Sequence, residues 1–185
     1  MRRPRWSVSG RARRPRNSGR PILAVDIDGV VSLFGFDEPP RLAEVEFHLV
    51  GGTMHCISTR AGRLLRQLAD QYEVVWVTGW ERGAQGMSQL LGLPKWPYLT
   101  FDGAARFGSA DWKLAPLEKY ARGRALAWID DSFDERCYEW AKQRQEPTLL
   151  VATDPEVGLE EVQAEALSGW ARSFAAGQPA PADPG

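Results

Sequence analysis

The stretch 22-ILAVDIDGVVS-32 sets two aspartates one residue apart at the end of an apolar run. Ile22-Leu23-Ala24-Val25 reads as a buried strand, and folding alone gives such a strand no reason to finish in two carboxylates. Asp26 and Asp28 stand at i and i+2, so on an extended chain both side chains point to one side. The question is what needs two like charges together at the edge of a sheet.

Working outward, the next segments supply the sheet. AEVEFHLV and TMHCIS alternate apolar and polar residues on either side of Gly51-Gly52, which predicts a hairpin over about 43–58. TRAGRLLRQLADQY follows with helical periodicity, Leu64, Leu65 and Leu68 sharing a face. EVVWV (73–77) is a short apolar strand ending in Thr78-Gly79-Trp80, with a helix expected around 82–91 and a weak strand at 98–101. A helix is expected from about Asp111, a strand at 125–129 ending in Asp130-Asp131, a helix through 133–144, a strand at 148–152 and a last helix from about Leu159 to Phe174. Thr153-Asp154-Pro155 reads as a turn before that helix. Strands alternating with helices imply an α/β fold with a mainly parallel sheet covered on both faces. Ligands bind such sheets along the carboxyl edge, near the topological switch point.

Parallel topology would gather six polar residues at that edge: Asp26, Asp28, Thr78, Lys113, Asp130 and Asp131. Two like charges about 4 Å apart repel by roughly 1 kcal/mol in water and about 4 kcal/mol at an effective dielectric of 20. A hard divalent cation removes that penalty, and oxygen ligands without His or Cys point to Mg2+. A single aspartate at a strand end is as readily a turn former or helix cap, and Asp131 in particular could cap the helix from 133. Six such residues in order are harder to assign to turns. Lys95 and Lys119 compete with Lys113, which the helix start and Trp112 favour.

Composition bounds the rest. With 185 residues, 43% hydrophobic and 25% charged, the chain suits one globular domain. Residues 1–20 hold eight arginines and no acid, so the net charge of -1 hides a basic arm on an acidic domain. The arm has no apolar core of a secretory signal and reads as disordered, either a solvated tail or a contact for nucleic acid. Residues 176–185 read as a second disordered tail, and no stretch is long enough to span a membrane. Cys56 and Cys137 show no metal-binding spacing and are expected to be reduced core residues, consistent with a cytoplasmic protein.

Asp26-Ile27-Asp28-Gly29-Val30, then Thr78, Lys113 and Asp130-Asp131 together resemble the four ordered motifs of the haloacid dehalogenase (HAD) superfamily, over about residues 20–175. IDGVVS, WVTGWE, LLGLP and WIDDS further resemble small HAD domains, some of them fused into RNA-repair proteins. The resemblance implies a three-layer, Rossmann-like core over 21–175 and a phosphomonoesterase. Asp26 would be the nucleophile, forming an aspartyl-phosphate, and Asp28 the general acid/base. Thr78 and the amides after it, Gly79 included, would hold phosphoryl oxygens, and Lys113 would neutralise their charge. Mg2+ would be held by Asp26, by Asp28 through its carbonyl, and by Asp130, with Asp131 acting directly or through water. Gly29 would let the chain turn sharply away.

Only about fifty residues separate Asp28 from Thr78, which leaves room for a hairpin lid but not for a cap domain. An open site admits large phosphorylated substrates, such as a nucleotide or nucleic-acid end. Two rival readings keep the fold: a non-catalytic phosphate- or nucleic-acid-binding module, and a phosphotransferase using the same residues. Trp80 and Glu81 follow Thr78 and either line the pocket or simply pack, as do Phe34 and Phe36 after the first motif. His48 and His55 are read as surface or interior residues of the hairpin. DDSFD (130–134) mimics the DDxxD of terpene synthases, which are all-helical and so do not fit. In receiver domains the lysine comes last, whereas Lys113 precedes Asp130.

Overall fold

The computed structural model describes residues 19–38, 40, 42–103 and 108–175; most of the basic arm and all of the tail expected from 176 fall outside them. A four-stranded parallel sheet forms the centre, in the order β5 (Glu73–Trp76), β1 (Ile22–Val25), β6 (Leu126–Asp130), β7 (Thr148–Ala152). β1 pairs Val25 with Trp76 on one side and with Ile129 on the other, so the ends of three strands lie level.

Alternation along β1 divides the core. Leu23, Val25 and Ile27 face one side, where α1 (Thr59–Leu68) and α5 (Glu161–Ala175) supply Leu64, Leu65, Leu68, Leu167 and Trp170. Ile22 and Ala24 face the other, where α3 (Leu114–Ala121) and α4 (Glu135–Gln143) supply Leu117, Ala121 and Cys137. Strands buried on both faces read as continuous apolar runs, which is how ILAV and LAWI look in the sequence. The result is a doubly covered parallel sheet compatible with a Rossmann-like fold. No helix among the described residues is long and apolar enough to cross a membrane.

The hairpin forms as the two glycines predict. β3 (Val45–Val50) and β4 (Thr53–Ser58) pair antiparallel around Gly51 and Gly52, both at positive φ, and β2 (Ser32–Leu33) joins the other edge of β4. Ser58 then caps α1, its Oγ accepting from the Ala61 amide at 3.1 Å. α1 stops at Leu68 instead of running to Tyr72. Tyr72 lies beyond it and donates its hydroxyl to the Leu167 carbonyl of α5 at 2.7 Å.

Two other expectations change. The weak strand at 98–101 shrinks to a single parallel bridge between Trp76 and Tyr98. Pro94 and Pro97 have no N–H to donate, and the ladder there uses only the Pro97 carbonyl and the Leu99 amide, both at 2.9 Å. The helix expected from Asp111 opens as a tight 3-10 turn (Asp111–Lys113) before α3, and a similar turn (Glu81–Gly83) precedes α2 (Ala84–Leu90).

Burial separates structural from superficial leucines. Leu65→Ala, fully buried between α1 and the sheet, is expected to lower unfolding free energy by about 2–5 kcal/mol. Leu49→Ala, at a position 70% exposed on the hairpin, should change it by less than about 0.5 kcal/mol. Urea unfolding midpoints at constant slope check both.

Candidate active site and metal centre

The chain leaves β1 for β5 on one side and leaves β6 for β7 on the other, so the crevice between β1 and β6 is the switch point. Asp26 follows the last residue of β1, and Asp130 is the last residue of β6. Both carboxylates are buried. Lys113 reaches between them, its ammonium donating to Asp26 Oδ2 and, at 2.7 Å, to Asp130 Oδ2. The loop before α3 is docked to deliver that lysine. The Ala110 amide donates to the Ser132 carbonyl at 2.9 Å, Ser109 Oγ to Asp134 Oδ2 at 2.6 Å, and Arg136 pairs with Asp111 at 2.7 Å. Lys95 and Lys119, the competing lysines, are both exposed.

Burial alone would lower the pKa of Lys113, but the charges of Asp26 and Asp130 outweigh it and hold the pKa above the usual lysine value. Burial, then the charge of Asp26, push the Asp130 carboxyl up, and the ammonium offsets only part of this. Asp131 is half-buried beside them, its Oδ1 accepting from Ser132 Oγ at 2.8 Å. Asp26, Asp130 and Asp131 each offer an oxygen, all within 4.8 Å of one another, so the three could hold a metal ion. Three carboxylates against one ammonium leave negative charge for a cation to balance, and an all-oxygen donor set suits Mg2+.

Asp131 therefore does not cap the next helix. Asp134 does, its Oδ1 accepting from the Cys137 amide at 3.1 Å, which also divides the DDSFD run into separate duties. Room for Asp131 comes from Gly29. Its φ is +69°, and a Cβ there would lie 2.4 Å from the Asp131 carboxyl carbon. The glycine is thus needed both for the turn and for the space.

Asp28 stands apart from the trio. Its Oδ2 accepts from the Trp80 indole N–H at 2.8 Å. Burial pushes its carboxyl up, and the indole bond draws it part of the way back. Thr78 is buried at the end of β5, its Oγ1 a distant acceptor, 3.4 Å, for the Trp80 amide, and Gly79 is exposed beside it. Glu81 does not reach the carboxylates. It adopts a positive φ of 47°, and its Oε1 accepts from the Phe101 amide at 2.9 Å, tying two edge loops together.

Three further residues, none of them assigned to the site from the sequence, contribute at this edge. Thr153 donates its hydroxyl to the Gly29 carbonyl at 2.8 Å and so fixes the turn after the first motif. Ser32 and His55 share a hydrogen bond of 3.0 Å, and the His55 ring meets Trp80 edge-on at 4.8 Å. His48, by contrast, pairs with Glu46 on the outside. Phe36 packs into a small cluster with Leu33, Val45 and Cys56, whereas Phe34 is exposed. Clefts of about 460 Å³ between α1 and α5 and about 310 Å³ at the hairpin base are not lined by Asp26, Asp28, Asp130 or Asp131.

No known family model matches this chain, and no curated protein matches it in sequence.

The buried cation is the element most sensitive to substitution. Lys113→Met leaves Asp26 and Asp130 facing each other without compensation and should cost about 3–5 kcal/mol of stability near neutral pH. In the variant the Asp130 carboxyl, pushed up by burial and by the charge of Asp26, loses the ammonium that offsets them, so the folded state holds its proton more tightly than the unfolded chain does and stability falls as pH rises. Urea unfolding at mildly acidic and mildly alkaline pH should therefore give the larger loss on the alkaline side. Equal losses would contradict this account.

Proposed function

We propose that the protein is a Mg2+-dependent phosphomonoesterase of the HAD type, working through an aspartyl-phosphate on Asp26. The observation that carries this reading is the division of four buried or half-buried carboxylates into two groups. Asp26, Asp130 and Asp131 lie together, the first two on the Lys113 ammonium, while Asp28 is held separately by Trp80. A site built only to bind a cation or an anion has no use for the fourth, separately held carboxyl. The motif order in the sequence supports the same assignment.

In the reaction, a carboxylate oxygen of Asp26 attacks phosphorus as the bond to the leaving oxygen breaks. Asp28 delivers its proton to that oxygen, so the alcohol departs neutral. In the second half-reaction Asp28, now a carboxylate, takes a proton from water as the water attacks the aspartyl-phosphate, which frees phosphate and restores both side chains. A carboxyl pushed up by burial suits this double duty. Lys113 offsets negative charge beside Asp26 throughout, and Thr78 and the Gly79 amide stand where β5 ends, close to the same edge. Asp26, Asp130 and Asp131, with the Asp28 carbonyl, would hold Mg2+, which when bound would supply charge neutralisation for phosphoryl oxygens.

Between Asp28 and Thr78 the described residues form the hairpin sheet, a short 3-10 turn, α1 and β5, and no separate cap domain. With so small a lid, a bulky phosphorylated substrate fits best, such as a nucleotide or a nucleic-acid end. Transfer of the phosphoryl group to an acceptor other than water would use the same residues.

Phosphate release from an aryl phosphate should require Mg2+, disappear with a chelator and return when Mg2+ is restored. Asp26→Asn should reduce it by about a thousandfold or more. Activity that survives this substitution would remove Asp26 as the nucleophile.

A further inference from the structure

We propose that Trp80 is a positioning residue for the acid/base carboxyl, fixing which oxygen of Asp28 carries the proton. The inference rests on the phosphomonoesterase reading and adds a residue to it. An indole N–H can only donate. Its bond to Asp28 Oδ2, at 2.8 Å, occupies that oxygen as an acceptor. The proton is thereby directed to Oδ1, the oxygen left to face a leaving group. Without the bond the carboxyl is free to rotate, and either oxygen can hold the proton in an unproductive direction.

The indole is itself braced. The His55 ring meets it edge-on at 4.8 Å, and His55 Nδ1 lies 3.0 Å from Ser32 Oγ. Ser32 and His55 belong to β2 and β4, so the brace comes from the hairpin sheet. On the other side the Trp80 backbone follows β5 by way of Thr78 and Gly79. One side chain thus links the lid, the acid and the strand expected to hold the phosphoryl group. Plain packing would account for the ring. It does not account for an N–H aimed at the one carboxylate that lies outside the lysine-centred trio.

The chemistry offers a readout that a structural role would not move. An alkoxide leaving group needs a proton from Asp28, whereas p-nitrophenolate departs without one. General acid catalysis is worth about 10²–10⁴ in rate, and its misdirection should be felt only where it operates. Trp80→Phe keeps an aromatic ring against His55 and removes the N–H. With saturating Mg2+, it should lower kcat/KM for an alkyl phosphate such as glycerol phosphate at least about tenfold more than for p-nitrophenyl phosphate. Equal falls for the two substrates would overturn the positioning role and leave the phosphomonoesterase reading intact. Failure of the unaltered protein to hydrolyse either substrate would overturn both. Should Trp80→Phe not fold, the bond can be tested without it. The chain has eight tryptophans, and in the ¹⁵N-indole spectrum Asp28→Ala should move one N–H resonance upfield by removing its acceptor. Eight unmoved indole resonances would overturn the proposal.

Discussion

The arrangement depends on one ammonium group buried between two carboxylates. β1 and β6 are adjacent, and each ends in an aspartate at the same level, so the topology forces Asp26 and Asp130 together. Neither carboxylate has enough water to screen the other. Lys113 supplies the compensating charge from a third segment, and its own burial is tolerable only because both carboxylates are there. The charge requirement thus becomes a positional one. It fixes the loop before α3 against the β6–α4 loop, and the bonds from Ala110, Ser109 and Arg136 follow from that docking.

The neighbouring turn is constrained by space rather than charge. Gly29 leaves room for Asp131, and its carbonyl is held by Thr153 beyond β7. Gly158 repeats the device one layer out: at φ +75°, a Cβ there would lie 2.5 Å from the Val30 carbonyl oxygen. The loop after β1 is therefore held between two segments that follow β6 and β7. The turn that carries Asp26 and Asp28 is thus fixed by contacts from more than a hundred residues away, the kind of support that precise placement of side chains requires.

Much of this was legible in the sequence because it follows from periodicity and strand ends. ILAV, EVVW, LAWI and TLLVA are strands because apolar runs of that length bounded by turn residues have few alternatives. The convergence of Asp26, Lys113 and Asp130 follows once the sheet is parallel. Less legible were choices made by hydrogen bonds between distant residues. The sequence offered Asp131 as a cap for the helix from 133, and only the position of the Cys137 amide shows that Asp134 fills that place. The 98–101 stretch looked strand-like, yet two prolines limited it to one bridge. Thr153, read as a turn former, proves to serve the opposite end of the chain.

His55 shows why local pattern could not assign the hairpin's role. Across β3 and β4, Ser32, His55 and Ile57 share one face, and Leu33, Val45, Cys56, Phe47, Leu49 and Met54 share the other. The second face is apolar apart from Ser58, and the first sets Ile57 among Glu46, His48 and His55, so alternation predicts the hairpin but would turn the second face inward. The inward side is set by Ile57, which packs into the main core and carries His55 toward Trp80. The outer face buries only its base, and Phe47, Leu49 and Met54 stand 53%, 70% and 60% exposed. The hairpin is thus buried at its base on both faces and exposed at its tip.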